Sequence, residues 1–336
     1  MKKRHTISVL FAGLIAVAII IPSLLVSLFS SEEEEGSLKT QKNVHDSALQ
    51  EPAVEVAVFR SATKQIETFP LEEYVAGVVA AEMPAEFEKE ALKAQALTAR
   101  TFIVKQLISG SKVNGQANVT DTVNHQVFKT KEELKKIWGS DFKWKSQKID
   151  EAVQETAGQI ITYDGTPITA SFFSTSNGYT ENSEEYWNEA LPYLKSVTSP
   201  WDESSPKYSS KKIMPLTEFE RKLGISVKGK TEAGTITART AGKRIASVKI
   251  GGKEFSGREV REKLGLASSD FNWVLKSGNV IITTKGYGHG VGMSQYGANG
   301  MAKEGKTHQQ IIAHYYQQTK IEEAEHFLKG KVTAKK

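Results

Sequence analysis

The hydrophobic and polar positions divide the N-terminal part of the chain into two contrasting segments. Residues 7–29 are apolar and carry no charge; as a helix they would extend roughly 35 Å, enough to cross a bilayer. Residues 30–52 are polar and aperiodic, which predicts a flexible stalk. Because basic residues within 1–6 precede the apolar run and four glutamates follow it, we expect a cytoplasmic tail, one transmembrane helix and an extracytoplasmic main domain.

A cleaved signal peptide is the alternative for the same segment. The apolar run at 7–29 is longer than an ordinary signal core, and no small-x-small cleavage site follows it. The retained anchor is therefore the preferred interpretation.

The pattern then changes to short strands and helices. Residues 54–59 alternate apolar and polar side chains, which predicts a strand. Pro70 followed by Glu72 and Glu73 marks a helix start, since acidic side chains favour the first turn. Pro84 interrupts the helical pattern, so two consecutive helices are expected.

Farther along, strands and helices do not alternate regularly. Residues 158–178 predict a β-hairpin with Asp-Gly at its turn. Residues 203–270 contain two short helical patterns and a strand, which indicate a smaller inserted lobe. We therefore predict a mixed α+β domain over 53–318, followed by a basic C-terminal tail at 319–336.

Composition narrows the class of protein. With 39% hydrophobic residues, the 336-residue chain can bury a sizeable core. The formal net charge is +5, but Lys2, Lys3 and Arg4 supply three of these charges, so nothing indicates nucleic-acid binding. A weakly basic surface is compatible with an anionic cell-wall polymer. The absence of cysteine excludes disulfides, thiol catalysis and cysteine–zinc ligation.

A glutamate interrupts the apolar stripe of the first predicted helix. Leu71, Val75 and Val78 recur at spacings of four and three, and Glu82 occupies the next position. Burial and the helix dipole should both raise the pKa of a carboxyl group placed there. Glu82 is therefore a candidate general acid. In the alternative, the helix frays before Pro84 and Glu82 faces solvent.

The second predicted helix carries a cation on its apolar stripe. Arg100 lies in line with Leu97, Val104 and Leu107. Such an arginine either extends its charged end to solvent or donates paired hydrogen bonds to a carboxylate or ligand between the helices. Gly77, inside the first predicted helix, should lower helix stability by about 1 kcal/mol relative to alanine. We expect it to permit close approach of a facing helix or, alternatively, of a substrate.

A glycine-rich segment at 286–300 follows a predicted strand and holds six glycines. Neither a dinucleotide fingerprint nor a phosphate-binding loop is present. Flexible glycines can bring backbone amides and neighbouring polar groups against a ligand. The predicted binding wall carries four polar or aromatic side chains: His289, Ser294, Gln295 and Tyr296.

Two other polar segments fit a sugar chain, which requires hydrogen bonds at its edges and flat surfaces for its faces. Residues 172–182 are rich in hydroxyl and amide groups, and residues 192–197 should place Tyr193 and Lys195 on one face of an extended segment. The candidate binding residues of the first segment are Ser174, Thr175, Ser176 and Asn177.

Several catalytic motifs are missing from the sequence. There is no G-x-S-x-G elbow, no H-E-x-x-H pair, and no K-T-G to accompany the scattered S-x-x-K matches. We expect neither a metal site nor a cofactor.

Four motifs in the same order resemble the stage II sporulation protein D family, also called the SpoIID/LytB domain. They lie at 71–102, 174–187, 192–197 and 286–298, and the resemblance extends over roughly 53–318. It implies a membrane-anchored lytic transglycosylase that cuts peptidoglycan glycan strands, preferably peptide-stripped ones, during forespore engulfment in sporulation.

The resemblance also implies partners, a location and site residues. Stage II sporulation proteins P and M are the implied partners, P being the amidase that strips the strands. The implied location is the septal or engulfing membrane, with the catalytic domain outside the cytoplasm. The family's catalytic glutamate falls on Glu82, its supporting arginine on Arg100, and its tyrosine and lysine on Tyr193 and Lys195.

One departure from the family concerns zinc. Some clostridial relatives resemble zinc binders through a C-D-x-x-H-C-type segment. Here Thr120 and Asn124 stand where the cysteine and histidine would be, and His125 alone cannot hold a structural zinc. The metal is not expected in this chain.

In the resulting hypothesis, Glu82 protonates the glycosidic oxygen, then takes a proton from the C6 hydroxyl of the same muramic residue as a 1,6-anhydro ring closes. Arg100 would orient Glu82. One alternative is a hydrolase with Asp121, Glu181 or Asp202 as second carboxylate. The other is a non-catalytic wall-binding module, because the family also includes amidase enhancers.

Overall fold

The computed structural model describes residues 54–227 and 232–329. The predicted tail, anchor and stalk at 1–52 and residues 330–336 of the predicted C-terminal tail lie outside the described residues, whereas 319–329 contain a strand, Lys320–Glu323, and a short helix, Glu325–Leu328. Within the two described ranges, no helix is long and apolar enough to cross a membrane.

The described chain is a mixed α+β structure, as predicted. The strands are β1 (Glu55–Phe59), β2 (Ile66–Pro70), β3 (Val119–Thr120), β4 (Gln159–Tyr163), β5 (Thr166–Pro167), β6 (Phe172–Phe173), β7 (Ser209–Pro215), β8 (Gly234–Arg239), β9 (Ile245–Ile250), β10 (Lys253–Ser256), β11 (Asp270–Lys276), β12 (Asn279–Lys285), β13 (Met293–Ser294) and β14 (Lys320–Glu323). The α-helices are α1 (Leu71–Glu82), α2 (Lys89–Ser109), α3 (Lys131–Trp138), α4 (Phe142–Gln154), α5 (Glu184–Trp187), α6 (Leu216–Leu223), α7 (Gly257–Leu264), α8 (Gln295–Lys303), α9 (His308–Tyr315) and α10 (Glu325–Leu328).

Two hydrophobic cores organise these elements. The larger core contains the sheets β2-β1-β3, β14-β4-β5 and β13-β6, and the smaller one contains β10-β9-β8 and β11-β12-β7. Pairing is antiparallel except between β1 and β3 and between β6 and β13. The larger core is built from segments on both sides of the smaller one in sequence.

Helix α1 confirms the predicted start and end. It follows Pro70 directly, carries Glu72 and Glu73 in its first turn, and ends at Glu82, two residues before Pro84. Its Met83 N–H still bonds to Val79 O, at 3.0 Å, before the backbone becomes extended. The predicted helix is therefore intact up to the candidate acid.

Helix α2 lies at the centre of the larger core. It packs against α1, α4, α8 and α9 and against the β4 strand, and twelve of its residues are buried. It ends at Gly110, whose φ of 70° is the left-handed cap that glycine adopts readily. A helix covered on so many sides needs apolar residues around most of its circumference, which is why its hydrophobic stripe is broad.

The predicted hairpin is confirmed as β4 and β5. Asp164 and Gly165 form its turn with φ of 51° and 68°, the pair of positive φ values that a tight hairpin favours. The third strand of this sheet, β14, comes from the far end of the chain.

The smaller core forms an inserted lobe that begins at Ser209 and ends at Lys285. Strands β11 and β12 belong to it because β12 pairs with β7 along its whole length, from Lys285 opposite Ser209 to Asn279 opposite Pro215. These strands extend beyond 270, the end expected for the insertion. Helix α6 contributes Phe219 to the core of the lobe, and helix α7 contributes Val260.

Gly77 in α1 is explained by a crossing loop rather than by a facing helix or a substrate. A Cβ atom at Gly77 would lie 2.4 Å from the Phe128 ring and 2.5 Å from the Lys129 carbonyl oxygen. No side chain fits in that space, so glycine is required where the loop crosses α1. The close crossing brings the preceding loop residues toward the C-terminal end of the helix.

Candidate active site

Glu82 is half-buried at the last residue of α1. Its Oε1 accepts one hydrogen bond, from the Val127 backbone N–H at 2.9 Å. Burial raises the pKa of the Glu82 carboxyl, and the Val127 hydrogen bond lowers it to a lesser extent. The side chain thus combines partial access to solvent with a bias toward its protonated form.

The glycine-rich segment holds the backbone around Glu82. Gln295 donates from Nε2 to the Glu82 carbonyl oxygen at 3.0 Å, which satisfies a group left free at the helix end. The Tyr296 ring packs edge-on against Phe87, with centroids 4.9 Å apart. Asn299 accepts a bond from the Glu88 N–H at 2.8 Å. The structure therefore brings Gln295 and Tyr296 to the predicted acid.

Tyr74 and Gln126 lie near Glu82 and were not predicted from the sequence. The Tyr74 hydroxyl donates to Gln126 Oε1 at 3.2 Å, and Gln126 directly precedes Val127. Burial chiefly, and the charge of Glu82 secondarily, raise the pKa of Tyr74. Tyr74 lies eight residues before Glu82 and so on the same helical stripe; that spacing was the available signal.

Arg100 does not contact Glu82, contrary to the expectation that it would orient the acid. Its buried guanidinium pairs with Glu72 in the first turn of α1, at 2.6 Å between Nη2 and Oε2. It also donates to the carbonyl oxygens of Val153 and Gln159. Glu72 and Glu82 are ten residues apart on one helix, about 15 Å along its axis. Arg100 therefore lies at the wrong end of α1 to orient Glu82.

Tyr193 and Lys195 do not share one face, because the chain turns at Pro192–Tyr193 instead of running extended. The Tyr193 ring is buried beside Tyr163, with centroids 5.3 Å apart. Its hydroxyl accepts from the Thr169 N–H at 3.0 Å. Lys195 forms a partly exposed ion pair with Glu184 at 2.6 Å. The two side chains thus point to different partners.

Ser176 and Ser294 belong to a buried network instead of a binding wall. The Asp202 carboxylate is fully buried and accepts hydrogen bonds from four donors. These donors are the Ser176 N–H and the hydroxyls of Ser176, Ser199 and Ser294. Burial raises the pKa of Asp202, and these bonds oppose the rise. The network joins two of the predicted polar segments, 172–182 and 286–300, to the stretch 199–202.

The other residues of the 174–177 segment also have structural partners. Thr175 is buried and bonds to the Ser205 hydroxyl at 2.9 Å. Asn177 donates to Asp270 Oδ2 at 2.9 Å, which connects the larger core to the inserted lobe. Ser174 remains half-buried, with its carbonyl oxygen accepting from the Tyr296 N–H.

His289 packs within an aromatic cluster formed by Phe173, Tyr186 and Trp187, at centroid distances from 5.4 to 5.9 Å. Its Nδ1 accepts from the Val291 N–H at 3.1 Å, which places the proton of the neutral ring on Nε2. Burial chiefly lowers the pKa of His289 to about 3. The ring therefore stays neutral at physiological pH.

The three carboxylates considered as a second catalytic acid are all occupied. Asp121 pairs with Arg60 at 3.2 Å. Glu181 is buried and accepts from the Gly242 N–H at 3.1 Å. Asp202 is the hub of the buried serine network. Asp121 is half-buried like Glu82 but is paired with a cation, and Glu181 and Asp202 are buried.

The stretch 120–128, at which a zinc site was considered from the sequence, lies next to Glu82, since it contains Val127. His125 shares a 2.9 Å hydrogen bond with Thr120 Oγ1. Among the described residues, no group of three histidine, aspartate and glutamate side chains has the arrangement needed to hold a metal ion.

Comparisons with known proteins assign the chain to a family. A family model described as Stage II sporulation protein matches residues 60–163. The chain is 50% identical over 339 residues to Stage II sporulation protein D of Bacillus amyloliquefaciens, covering 97% of this chain and 98% of the relative. It is 51% identical over 334 residues to the protein of that name from Bacillus subtilis, covering 96% and 97%. It is also 28% identical to a Bacillus subtilis protein named Amidase enhancer, covering 73% of this chain and 40% of the relative.

Proposed function

The chain belongs to the stage II sporulation protein D family, and from that premise we propose that it is a membrane-anchored lytic transglycosylase. Its substrate is the peptidoglycan glycan strand, preferably stripped of peptides, and it acts during forespore engulfment in sporulation. The observation that carries the proposal is the environment of Glu82, a half-buried carboxyl group with one N–H donor and a raised pKa.

In the proposed reaction, protonated Glu82 donates its proton to the glycosidic oxygen between N-acetylmuramic acid and N-acetylglucosamine. The bond from this oxygen to the anomeric carbon breaks as positive charge develops on the sugar. The Glu82 carboxylate then accepts the proton of the C6 hydroxyl, whose oxygen bonds to the anomeric carbon and closes the 1,6-anhydro ring. Glu82 is anionic only between these two proton transfers and is protonated again at the end of the reaction.

A single carboxyl group suffices because the nucleophile belongs to the substrate and is already held near the reacting carbon. The Val127 N–H bond stabilises the transient Glu82 anion and fixes the side chain. Gln295, which is distant from Glu82 in sequence, fixes the Glu82 backbone through its hydrogen bond to the carbonyl oxygen. In this proposal Arg100 stabilises the fold of α1 rather than the reacting groups.

The product of the reaction tests the proposal. Full-length protein in detergent is incubated with purified, peptide-stripped glycan strands, and the products are analysed by mass spectrometry. We expect muramic ends 18 mass units lighter than reducing ends, because ring closure replaces the addition of water. Reducing muramic ends would instead indicate a two-carboxylate hydrolase.

A second candidate function is a non-catalytic module that binds the wall and enhances an amidase, as suggested by the 28% identity to the protein named Amidase enhancer. The same assay separates the two functions. Absence of any product in the wild-type reaction, with glycan binding retained, would support the enhancer function and contradict catalysis.

The proposed partners and location follow from the family alone. We propose that the chain assembles with stage II sporulation proteins P and M in the septal and engulfing membrane. Co-purification of these two proteins with the full-length chain from sporulating cells tests this part of the proposal.

A further inference from the structure

A basic groove lies at the junction between the inserted lobe and the glycine-rich segment. It has a volume of about 400 Å³ and is bounded by β7, the end of α7 and Tyr287, the second residue of the glycine-rich segment. The charged and aromatic side chains lining it are Lys211, Lys212, Arg261 and Tyr287. Neither Glu82 nor the residues that contact it line this groove.

Tyr287 is presented to this groove by a rigid backbone. Its N–H and carbonyl groups both bond to Thr175, at 2.7 and 3.0 Å. The flanking Gly286 and Gly288 have φ of 79° and 117°, and a Cβ atom at Gly288 would lie 2.8 Å from Phe173. Glycine on both sides therefore lets the chain lie against 173–177 while the Tyr287 side chain points outward. That residue is 48% exposed although its backbone is fixed.

The cations around Tyr287 differ in how they are held. Lys212 bonds to the carbonyl oxygen of Leu264 at 2.6 Å and so caps α7. Lys211 and Lys207 are exposed, and within the described ranges neither has a carboxylate oxygen within 4.0 Å. Lys207 Nζ lies 5.1 Å from the Tyr287 ring centroid. The groove thus has uncompensated positive charge beside an exposed aromatic face.

The same charge excess characterises the whole inserted lobe. Residues 209–285 contain sixteen lysines and arginines and seven aspartates and glutamates, a net charge of +9, whereas the complete chain has a net charge of +5. The rest of the chain is therefore net negative. An anionic ligand would be attracted to this lobe in preference to the larger core.

We infer that this groove binds the glycan strand through muramic residues whose lactyl carboxylates are free, an inference that rests on the proposed function. A sugar face packs on Tyr287, while the exposed Lys207 and Lys211 pair with the lactyl carboxylates. In a strand that still carries peptides, that carboxyl group is an amide and has no charge. The groove therefore selects peptide-stripped strands, and this selection is made away from Glu82.

The exposed aromatic ring favours a glycan over a phosphodiester polymer. A polymer recognised by charge alone needs only cations, whereas a sugar ring also requires a flat apolar surface. Tyr287 supplies this surface next to the cations, and its backbone is held in place by the two hydrogen bonds to Thr175. Binding of a glycerol-phosphate polymer is accordingly an outcome that the experiment must distinguish.

The test measures binding separately from cleavage. Full-length protein carrying Glu82→Gln is used in detergent, so that the glycan is not consumed, and binding is measured by co-sedimentation at low salt. Two probes are compared: peptide-stripped glycan with free lactyl carboxylates, and the same glycan after conversion of these carboxylates to N-methylamides.

The double variant Lys207→Gln/Lys211→Gln should weaken binding of the free-acid glycan about fivefold, since two exposed ion pairs are lost, and leave binding of the amidated glycan unchanged. Tyr287→Ala should weaken both. The matched control is Lys249→Gln/Lys276→Gln, which removes two exposed lysines of the same lobe outside the groove and should bind like the parent.

Three outcomes would overturn the inference. Equal binding of the two glycans by the parent protein would exclude recognition of the carboxylate. Equal losses in the two double variants would assign the effect to net charge. Competition by a glycerol-phosphate polymer as strong as by the free-acid glycan would make the groove a general polyanion site. Because cleavage is measured separately on the protein with Glu82 intact, failure of catalysis and failure of this groove give different results.

Discussion

Helix α1 carries a partly buried glutamate at each end, and their surroundings differ sharply. At the N-terminal end, Glu72 receives paired hydrogen bonds from the Arg100 guanidinium and a further one from the Gly158 N–H at 3.1 Å. At the C-terminal end, Glu82 receives one N–H bond and has no cation within 4.0 Å among the described residues. The two groups share residue type, helix and partial exposure.

The difference shows how the number of donors decides what a buried carboxyl group can do. A carboxylate held by a guanidinium fork is stabilised as an anion and contributes to the fold. A carboxyl group with one donor gains less as an anion, so burial shifts it toward the protonated form. The first arrangement fixes α1 against α2, and the second leaves a proton available for transfer.

The largest expected effect is the loss of activity in Glu82→Gln. We expect cleavage of peptide-stripped glycan to fall at least about 10³-fold, because the amide has no proton to transfer to the leaving oxygen. The free energy of unfolding should be equal or higher, since a group that is costly to ionise has been removed. Anhydro-product formation and urea denaturation measure the two quantities.

Glu88→Gln, an exposed neighbour in the following turn, is the matched control for that substitution. It should leave both quantities unchanged. Normal cleavage by Glu82→Gln would remove Glu82 from the mechanism.

The next largest effect is the loss of stability in Glu72→Gln. The substitution leaves the Arg100 guanidinium buried without its carboxylate, which should lower the free energy of unfolding by about 3 kcal/mol after allowance for the partial exposure of Glu72. Cleavage per folded molecule should stay near the wild-type value. Urea denaturation, with activity normalised to the folded fraction, measures both.

Glu73→Gln changes the adjacent, exposed residue of the same helical turn and serves as the control. If Glu72→Gln lost activity as completely as Glu82→Gln while remaining folded, the contrast between the two ends of α1 would be wrong.

The third largest effect is expected in how the free energy of unfolding and the rate of cleavage depend on pH. Because the pKa of Glu82 is raised in the folded state above its unfolded value near 4.5, the folded protein binds more protons between these two values. Glu82 should therefore reduce stability progressively as pH rises through that interval, and the proposed cleavage should fall as the acid ionises. Denaturation at several pH values, wild type against Glu82→Gln, isolates this contribution because other titrating groups are common to both.

The sign of the difference decides that test. Wild type should lose stability relative to Glu82→Gln as pH rises. If the two proteins changed stability in parallel with pH, burial would not raise the pKa of Glu82. If wild type instead gained stability relative to Glu82→Gln as pH rises, the folded state would stabilise the Glu82 anion.

The smallest effect is expected for Gln295→Ala. Loss of the hydrogen bond to the Glu82 carbonyl oxygen should cost about 1 kcal/mol of positioning and lower kcat about fivefold, with the pH profile unchanged. Gln309→Ala, in an exposed position of α9, is the control. A shifted pH profile in Gln295→Ala would show that Gln295 acts on the carboxyl group itself.

The sequence predicted features that depend on neighbours along the chain. The stripe from Leu71 to Glu82 predicted α1, because helical spacing alone determines which positions share a face, and it gave burial of Glu82 as one of two alternatives. The Asp164-Gly165 pair predicted the hairpin turn for the same local reason.

Features that depend on distant partners were not predicted. Arg100 could have bonded to either end of α1, and only the packing of α2 against α4 and β4 selects Glu72. The serine-rich segments have the composition of a sugar site, yet Ser176 and Ser294 meet at Asp202, from segments far apart in sequence. Hydroxyl groups serve a ligand and a buried carboxylate equally well, so composition could not distinguish the two.

The pairing of Ser209 with Lys285 at the base of the inserted lobe has an evolutionary consequence. The chain leaves the larger core and returns to it at adjacent points, so a segment of different length could join the same two ends. Proteins of this architecture can therefore differ in the length of the lobe while its two attachment points stay in place.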